Sequence, residues 1–273
     1  MRSGSTEGLQ RAGFPIRWSM ALRGGPASTN RNCVTDPNES QPLIDVTGLG
    51  RDYGDVTALD DLDLEVEPGS VVAFVGQNGS GKTTALRLIA GRLEPSRGSA
   101  TIAGVDVQDH QASGYVRSLV SFVPDQPALY PDLTVLDHLH VVGFAHGVDA
   151  VDERAEGLTA RLGLERRSHS LPRELSRGMR QKTQLACALI RPFSVLMLDE
   201  PVSGLDPGSR RELHALLGEA KAEGSAVLLS THQIDFVEGL ADRMVVLRDG
   251  EVVTVGTYAE VTAGGVAEEL GLR

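Results

Sequence analysis

Residues 76–84 read Gly-Gln-Asn-Gly-Ser-Gly-Lys-Thr-Thr, and this stretch restricts the possible fold more than any other. Glycines permit the positive φ angles with which a backbone wraps closely around an anion, and successive N–H groups then converge on it. The spacing matches G-x-x-x-x-G-K-[ST], in which the lysine reaches the β- and γ-phosphates and the hydroxyl ligates Mg²⁺. The predicted phosphate-binding residues are Gly76, Gln77, Asn78, Gly79, Ser80, Gly81, Lys82, Thr83 and Thr84.

The flanks of this phosphate loop (76–84) predict a strand before it and a helix after it. Residues 70–75 are a β-branched, apolar run that is too short for a helix, as expected of a buried strand. Leu86, Ile89 and Leu93 then recur at helical spacing. A helix therefore begins near Gly81, with the positive end of its dipole toward the phosphates. The alternative, a glycine-rich turn that happens to carry a lysine, does not explain these flanks.

Two adjacent carboxylates follow a second apolar run at residues 195–198. Open α/β sheets bind their ligands at the carboxyl ends of the strands, so Asp199 and Glu200 are placed for chemistry. We predict that Asp199 holds Mg²⁺ through its water shell and that Glu200 is the general base for the attacking water. The alternative is an acidic turn after a core strand.

Strand-like and helix-like segments alternate in the second half of the chain. Apolar runs at 194–198, 226–230 and 244–247 predict strands, with an amphipathic helix between each successive pair. This alternation is typical of a parallel sheet with crossover helices. The predicted fold class is therefore α/β, a P-loop NTPase with a mostly parallel core sheet.

Two regions depart from that alternation. Runs at 62–66 and 99–103 predict a small antiparallel β subdomain beside the phosphate loop. Residues from about 128 to 190 predict an inserted helical subdomain. Its predicted helices are Val135–Ala145, Asp152–Leu162 and Met179–Ile190. His138 and His140 are two positions apart on the first of these helices and face different directions, which predicts surface residues and not ligands.

Composition excludes some functions. The formal net charge is −11, and no stripe concentrates basic charge, so no nucleic-acid partner is expected. No apolar run approaches the roughly 18 residues of a membrane-spanning helix, so a role at a membrane requires a partner subunit. Cys33 and Cys187 lack metal-ligand or redox spacing and indicate a reducing compartment. Cys187 is predicted to be a small buried hydrophobe.

Residues 1–41 are predicted to be a disordered leader, because they combine Ser, Gly, Asn and Pro clusters with little hydrophobic periodicity. They lack the continuous apolar centre of a secretory signal. An organellar transit peptide is an alternative, and so is translation that starts at Met20. Residues 42–260 are predicted to form the ATPase domain, followed by a short C-terminal tail at 261–273.

Four further segments carry a family resemblance. Residues 175–179, Leu-Ser-Arg-Gly-Met, lie about 23 residues before the first carboxylate. Residues 203–206 read Ser-Gly-Leu-Asp, and residues 230–232 read Ser-Thr-His. Tyr53 lies 23 residues before the phosphate loop. The order and spacing of these segments make residues 43–257 resemble the nucleotide-binding subunit of an ATP-binding-cassette (ABC) transporter. The resemblance implies that ATP and Mg²⁺ are the ligands.

The resemblance implies roles for these segments. Ser176 is a plausible N-cap of a helix, and it would contact, together with Gly178, the γ-phosphate held by a second protomer. Two nucleotides would then be buried between head-to-tail subunits, with Asp206 at the same interface. His232 would hydrogen-bond the γ-phosphate and help to hold the water, and Tyr53 would stack on adenine. The alternatives are an ordinary surface histidine and an ordinary strand tyrosine.

Two departures from the family pattern concern the site. In the common signature Leu-Ser-Gly-Gly-Gln, Arg177 and Met179 replace the third and fifth residues, while both phosphate contacts remain. The family's Q-loop glutamine follows an apolar strand and a proline. Here Asp125 takes that position and Gln126 comes one residue later. Either side chain could approach Mg²⁺, so both are candidates.

Residues 127–135 and 175–182 look like the branch that drives drug, antibiotic, sodium or haem exporters. The resemblance implies a homodimer, or a dimer with a paralogous cassette, on a separately encoded membrane-spanning permease subunit. The chain would then be cytoplasmic and peripheral on the inner face of the cell membrane, with residues 125–139 beside the permease. The alternatives are a soluble ABC-type ATPase without a membrane partner, or a module that binds ATP with little hydrolysis.

Overall fold

The computed structural model describes residues 41–265 and residue 271. The predictions for the leader, including Met20 and Cys33, and for most of the tail lie outside these residues. The strands are β1 (Ile44–Tyr53), β2 (Val56–Val66), β3 (Val71–Val75), β4 (Arg97–Ile102), β5 (Val105–Asp106), β6 (Val120–Val123), β7 (Val195–Asp199), β8 (Ala226–Thr231), β9 (Arg243–Arg248) and β10 (Glu251–Gly256). The α-helices are α1 (Lys82–Ile89), α2 (Ser113–Leu119), α3 (Val135–Ala145), α4 (Val151–Arg161), α5 (Arg177–Ile190), α6 (Pro207–Ala222) and α7 (Tyr258–Ala263).

The core is a six-stranded sheet with the order β10-β9-β3-β8-β7-β6. All neighbours pair in parallel except β10, which runs antiparallel at the edge. Strands β3, β7 and β8 are buried along their whole length, which is why they appear in the sequence as continuous apolar runs. The predicted mostly parallel sheet is confirmed.

The register of this sheet brings the ends of three strands together. Val75 at the end of β3 pairs with Thr231 of β8, and Asp199 at the end of β7 pairs with Ser230. The segments that follow β3, β7 and β8 therefore leave the sheet at one edge. Those segments are the phosphate loop, the carboxylate pair and the residues around His232.

Successive side chains of the central strands enter two different cores. Val71 and Ala73 of β3 pack with α5 and α6 on one face, whereas Val72 and Phe74 pack with α1 and the second sheet on the other. This alternation is the two-residue period of a strand. Cys187 lies in the first core, where burial raises the pKa of its thiol to about 12. This confirms its interpretation as a small buried hydrophobe.

The second sheet is antiparallel, with the order β2-β1-β4-β5, and confirms the predicted small β subdomain. Sequence analysis missed β1, because register shifts between Val46 and Arg51 break the alternation of side chains. At Gly98 of β4 the backbone φ is +72°, and a Cβ atom there would lie 2.2 Å from the Gly48 carbonyl oxygen. Close approach of β1 and β4 therefore requires glycine at this position.

Helices α3, α4 and α5 pack against one another between β6 and β7, and this confirms an inserted helical subdomain. α3 begins after Thr134, whose hydroxyl accepts from Asp137 N while the Asp137 carboxylate accepts from Thr134 N. This reciprocal capping box explains the sharp start of the helix. The subdomain limits at about 128 and 190 remain a prediction.

Two expectations were wrong. An amphipathic helix was predicted between β8 and β9, but only a short 3₁₀ helix, Ile234–Val237, lies there. Its apolar residues are buried against the first core, and so they resemble a helix in sequence. His138 was predicted to be a surface residue, yet it is 4% exposed. Both ring nitrogens have backbone partners, at 2.7 Å from Thr134 O and 2.9 Å from Tyr130 N.

Candidate nucleotide-binding site

The phosphate loop has a backbone that only glycine can follow at two positions. Gly79 and Gly81 have φ angles of +86° and +104°. A Cβ atom at Gly81 would lie 2.6 Å from the carbonyl oxygen of Ala58 in β2. The loop is thus fitted against the antiparallel sheet, and α1 begins directly after it, at Lys82.

Lys82 is 5% exposed, and its ammonium group is held within the loop. Nζ donates to the carbonyl oxygens of Gly76 at 2.8 Å and Gln77 at 2.9 Å. It also forms an ion pair with Glu200 Oε1 at 3.4 Å. A buried ammonium group requires such compensation, and these three oxygens provide it. The positive charge of Lys82 therefore lies between the phosphate loop and the Glu200 carboxylate.

Asp199 is fully buried and joins α1 to the ends of two strands. Its Oδ1 accepts from Thr83 Oγ1 at 2.9 Å and from Ser230 Oγ at 2.6 Å. Its Oδ2 is buried without a hydrogen-bond partner among the described residues. An unpaired carboxylate oxygen beside a hydroxyl is a donor set that suits a hard cation such as Mg²⁺. The two residues predicted to hold Mg²⁺ are therefore adjacent, and their chemistry fits the ion.

Glu200 lies between Lys82 and His232, the histidine predicted to contact the γ-phosphate. Its backbone φ is +46°, a left-handed conformation that is uncommon for a residue with a side chain. Glu200 Oε2 lies 2.9 Å from His232 Nδ1, and Ser230 Oγ accepts from Glu200 N at 2.9 Å. The side chain is 12% exposed, whereas that of His232 is 44% exposed. The carboxylate is thus held in a fixed position at the border of the site.

A cavity of about 220 Å³ lies between the phosphate loop and Glu200. It is lined by Ala58, Asn78, Gly79, Gly81, Lys82, Thr83, Thr84, Asp125 and Glu200. Asp125 lines it and Gln126 does not, which favours Asp125 of the two candidates. Ala58 was missed by sequence analysis, because only the packing of β2 brings it there. Tyr53 is not among the described lining residues; it is 50% exposed, and the Arg51 guanidinium lies 4.7 Å from its ring centroid.

The segments at 175–179 and 203–206 lie apart from this cavity and contact each other. Ser176 caps α5, with its Oγ accepting from Met179 N at 3.2 Å. A Cβ atom at Gly178 would lie 2.5 Å from the Gly204 carbonyl oxygen, so the two segments are in close contact. Arg177 Nη2 donates to Ser203 Oγ at 3.3 Å. Ser176, Gly178 and Asp206 do not line the cavity within the described chain.

Asp206 caps α6 in the same way. Its carboxylate accepts from the Ser209 hydroxyl at 2.6 Å and the Ser209 backbone N–H at 2.9 Å. Lys182 Nζ of α5 lies 3.0 Å away. The pKa of Asp206 is lowered, chiefly by the Ser209 hydroxyl, then by the Ser209 N–H and Lys182, because each favours the ionised form. Asp206 therefore carries a negative charge that joins α5 to α6.

A larger cavity of about 510 Å³ lies elsewhere, between α6 and the 3₁₀ helix 234–237. Its lining residues include Arg210, Arg211, His214 and Phe236. None of the phosphate-loop residues lines it, so its size does not make it the nucleotide site. The smaller cavity is lined by the glycine-rich loop, Lys82 and Glu200.

Together, the parallel sheet, the glycine-rich loop after β3 and the carboxylates after β7 define a P-loop nucleotide-binding ATPase. The sequence model described as "ABC transporter" matches residues 59–203, more than half of the chain. The chain therefore belongs to the ABC transporter family and contains its ATP-binding domain. Across residues 41–265, none of the helices is both long and apolar enough to cross a bilayer.

Known relatives cover most of the chain. The ABC-type transporter ATP-binding protein EcsA of Bacillus subtilis is 33% identical over 233 residues, which are 85% of this chain and 92% of EcsA. The Nod factor export ATP-binding protein I of Ralstonia nicotianae is 34% identical, over 85% of this chain and 71% of that protein. Both names describe ATP-binding proteins of transporters.

Solved structures agree with the fold. An ATP-binding subunit of an ABC transporter superposes with a TM-score of 0.74 at 34% identity and covers 84% of this chain and 98% of its own. A dimeric ATP-binding cassette in a post-hydrolysis state, bound to ADP and Pi, has a TM-score of 0.72 at 25% identity. It covers 79% of this chain and 99% of its own.

Proposed function

We propose that this chain is the ATP-hydrolysing subunit of an ABC transporter that exports a drug, antibiotic or other small molecule through a separate permease. The observation that carries the proposal is the convergence of five side chains at the carboxyl edge of one sheet. They are Lys82, Thr83, Asp199, Glu200 and His232, and contacts of 2.9–3.4 Å join them.

Each of these side chains has a chemical role that follows from its contacts. Lys82 supplies positive charge for the β- and γ-phosphates of ATP. Glu200, whose Oε1 lies 3.4 Å from Lys82 Nζ, accepts a proton from the attacking water as general base. His232, next to Glu200, donates an N–H to the γ-phosphate. Phosphoryl transfer is catalysed mainly by positioning of the reacting groups and by stabilisation of charge, and these contacts would provide both.

Thr83 and Asp199 would hold Mg²⁺, Thr83 through its hydroxyl and Asp199 through the water shell of the ion. Mg²⁺, when bound, neutralises charge that develops on the phosphates. We assign the Q-loop role to Asp125, because it lines the cavity with Thr83 and Glu200. A carboxylate at this position adds a negative charge where the family has an amide.

A second copy of the chain, or a paralogous cassette, completes the site in this proposal. Ser176, Gly178 and Asp206 lie outside the cavity of their own chain, on a surface formed by α5 and residues 203–206. The free N–H groups at the start of α5 form an anion site beside the Ser176 hydroxyl. A head-to-tail partner would bring this surface over the phosphate loop. The dimeric structural relative supports this arrangement.

The permease would dock on residues 125–139 and the adjoining face of α3. Tyr130 is 67% exposed and Phe144 of α3 is 68% exposed. Val141, which is 50% exposed, lies three positions before Phe144 on α3, and adjoining exposed apolar side chains mark interaction surfaces. The chain would then lie at the cytoplasmic face of the membrane. Tyr53 remains the proposed adenine contact, and residues 42–260 the proposed domain.

The proposal is tested by the oligomeric state of the Glu200→Gln variant with and without Mg-ATP. Loss of the base leaves ATP bound between two copies, so light scattering should show a dimer only with Mg-ATP. A monomer under both conditions would contradict the shared site. A second test is binding of the chain to detergent-solubilised membranes that contain the permease. A transporter subunit should be retained, whereas a soluble ATPase of the same fold should stay unbound.

A further inference from the structure

A chain of polar contacts links helix α6 to the catalytic carboxylate. Arg210 of α6 donates from Nη1 to Gln233 Oε1 at 2.7 Å and from Nε to the Leu205 carbonyl oxygen at 3.2 Å. Gln233 Nε2 lies 3.5 Å from His232 Nε2. His232 Nδ1 lies 2.9 Å from Glu200 Oε2. The histidine ring thus has a partner on each nitrogen.

The donors and acceptors of this chain fix which way each group points. A guanidinium group has only donors, so the Gln233 atom that faces Arg210 must be the carbonyl oxygen. The amide NH₂ then faces the ring. Because an NH₂ group only donates, Nε2 of His232 must offer a lone pair. With the lone pair on Nε2, a neutral ring carries its proton on Nδ1, which lies 2.9 Å from Glu200 Oε2.

We propose that Gln233, oriented by Arg210, is a positioning residue that holds His232 as the Nδ1–H tautomer. The Gln233 amide requires this tautomer, and the 2.9 Å contact of Nδ1 with Glu200 Oε2 then has a hydrogen between its two atoms. The consequence for turnover rests on the proposed function: Nδ1–H is the one N–H donor of the ring in this tautomer, so the Glu200 carboxylate and the γ-phosphate share it. Gln233 would keep that proton on the nitrogen nearest the reaction.

Nitrogen chemical shifts of the imidazole rings test the tautomer directly. The full chain is labelled with nitrogen-15 histidine and measured at alkaline pH without nucleotide, and His232→Ala assigns the His232 signals. In the wild-type protein Nδ1 should carry the proton and Nε2 the lone pair. His138 has the same tautomer, set by backbone groups alone, and serves as an internal control in every spectrum.

Two variants at one position should act in different ways. Gln233→Leu removes the NH₂ donor, so the His232 signals should move to values averaged over both tautomers. Gln233→Glu places an acceptor beside Nε2, so Nε2 should become protonated. A residue that only supports the fold would not place a proton on Nε2 in this manner. Arg211→Lys, which lines the same cavity as Arg210 but lies outside the contact chain, should leave the His232 signals unchanged.

Turnover provides the second measurement. Gln233→Leu should lower kcat for ATP about tenfold, the effect of roughly one lost hydrogen bond, with KM changed less than about twofold. A wild-type spectrum with the proton on Nε2 overturns the proposal, and so do unchanged His232 signals in both Gln233 variants. An altered tautomer with unchanged kcat overturns its role in turnover. Absence of ATPase activity in the wild-type chain overturns the proposed function instead, because the spectra need no nucleotide.

Discussion

The two groups of site residues differ in how far one chain completes them. The phosphate loop and the residues after β7 and β8 contact one another through a lysine, a threonine and two carboxylates. The segments at 175–179 and 203–206 also contact each other, but none of their residues is among those that line the 220 Å³ cavity beside the phosphate loop. The first group is therefore built for a ligand within one chain. The second is an organised surface that we propose meets the nucleotide of a partner copy, and substitutions in the two groups should have different effects.

The largest effect is expected from Glu200→Gln. Removal of a general base lowers turnover by about a hundredfold or more, whereas the binding of ATP depends on the loop and should persist. Phosphate release and a nucleotide titration on the same preparation measure the two quantities. Glu153→Gln, on the exposed face of α4, is the control of equal charge change. Undiminished phosphate release would remove Glu200 from the catalytic role.

Lys82→Ala should affect binding itself. A lost hydrogen bond to a charged group is worth about 1.5–3 kcal/mol, which corresponds to roughly 10- to 100-fold weaker ATP binding. Isothermal titration measures the change. Lys221→Ala loses an ion pair with Asp242 at 2.6 Å, far from the loop, and is the matched control. Equal affinity in both variants would contradict the assignment of the phosphate loop.

Ser176→Ala tests the second group separately. The loss of an N-cap costs about 1 kcal/mol of folding stability. Thr257→Ala removes the equivalent hydroxyl cap from α7 and should cost a similar amount. In the Glu200→Gln background, only the Ser176 change should weaken Mg-ATP-dependent dimerisation, by about tenfold, because its hydroxyl is proposed to meet the partner's nucleotide. Equal dimerisation in both cap variants would show that the surface on α5 has no such role.

The smallest effect is expected from Asp125→Asn. Removal of one negative charge near the ion should raise the Mg²⁺ concentration for half-maximal ATPase activity roughly fivefold. This corresponds to about 1 kcal/mol, the interaction of two charges through water. Gln126→Ala should leave that concentration unchanged. If the effects of the two variants are reversed, Gln126 performs the role and the proposed assignment to Asp125 is wrong.

Parts of the molecule that depend on neighbouring residues in sequence were predictable. The phosphate loop, its flanking strand and helix, and the carboxylates after β7 are local patterns, and α3 agrees with the predicted limits. β1 was missed because its bulges break the periodicity. The burial of His138 and the approach of Ala58 to the loop depend on tertiary packing. The contact of Gln233 with Arg210 joins residues 23 positions apart, and no local pattern indicates it.

The left-handed backbone at Glu200 has a consequence for large mutational surveys. A residue with a side chain in this conformation costs on the order of 1 kcal/mol or more relative to glycine. Glycine at position 200 would relieve this backbone cost, but it would also remove the ion pair with Lys82 and the proposed catalytic carboxylate. A survey scored by protein abundance should therefore tolerate this substitution better than one scored by transport, which makes position 200 a marker for whether a selection reports folding or chemistry.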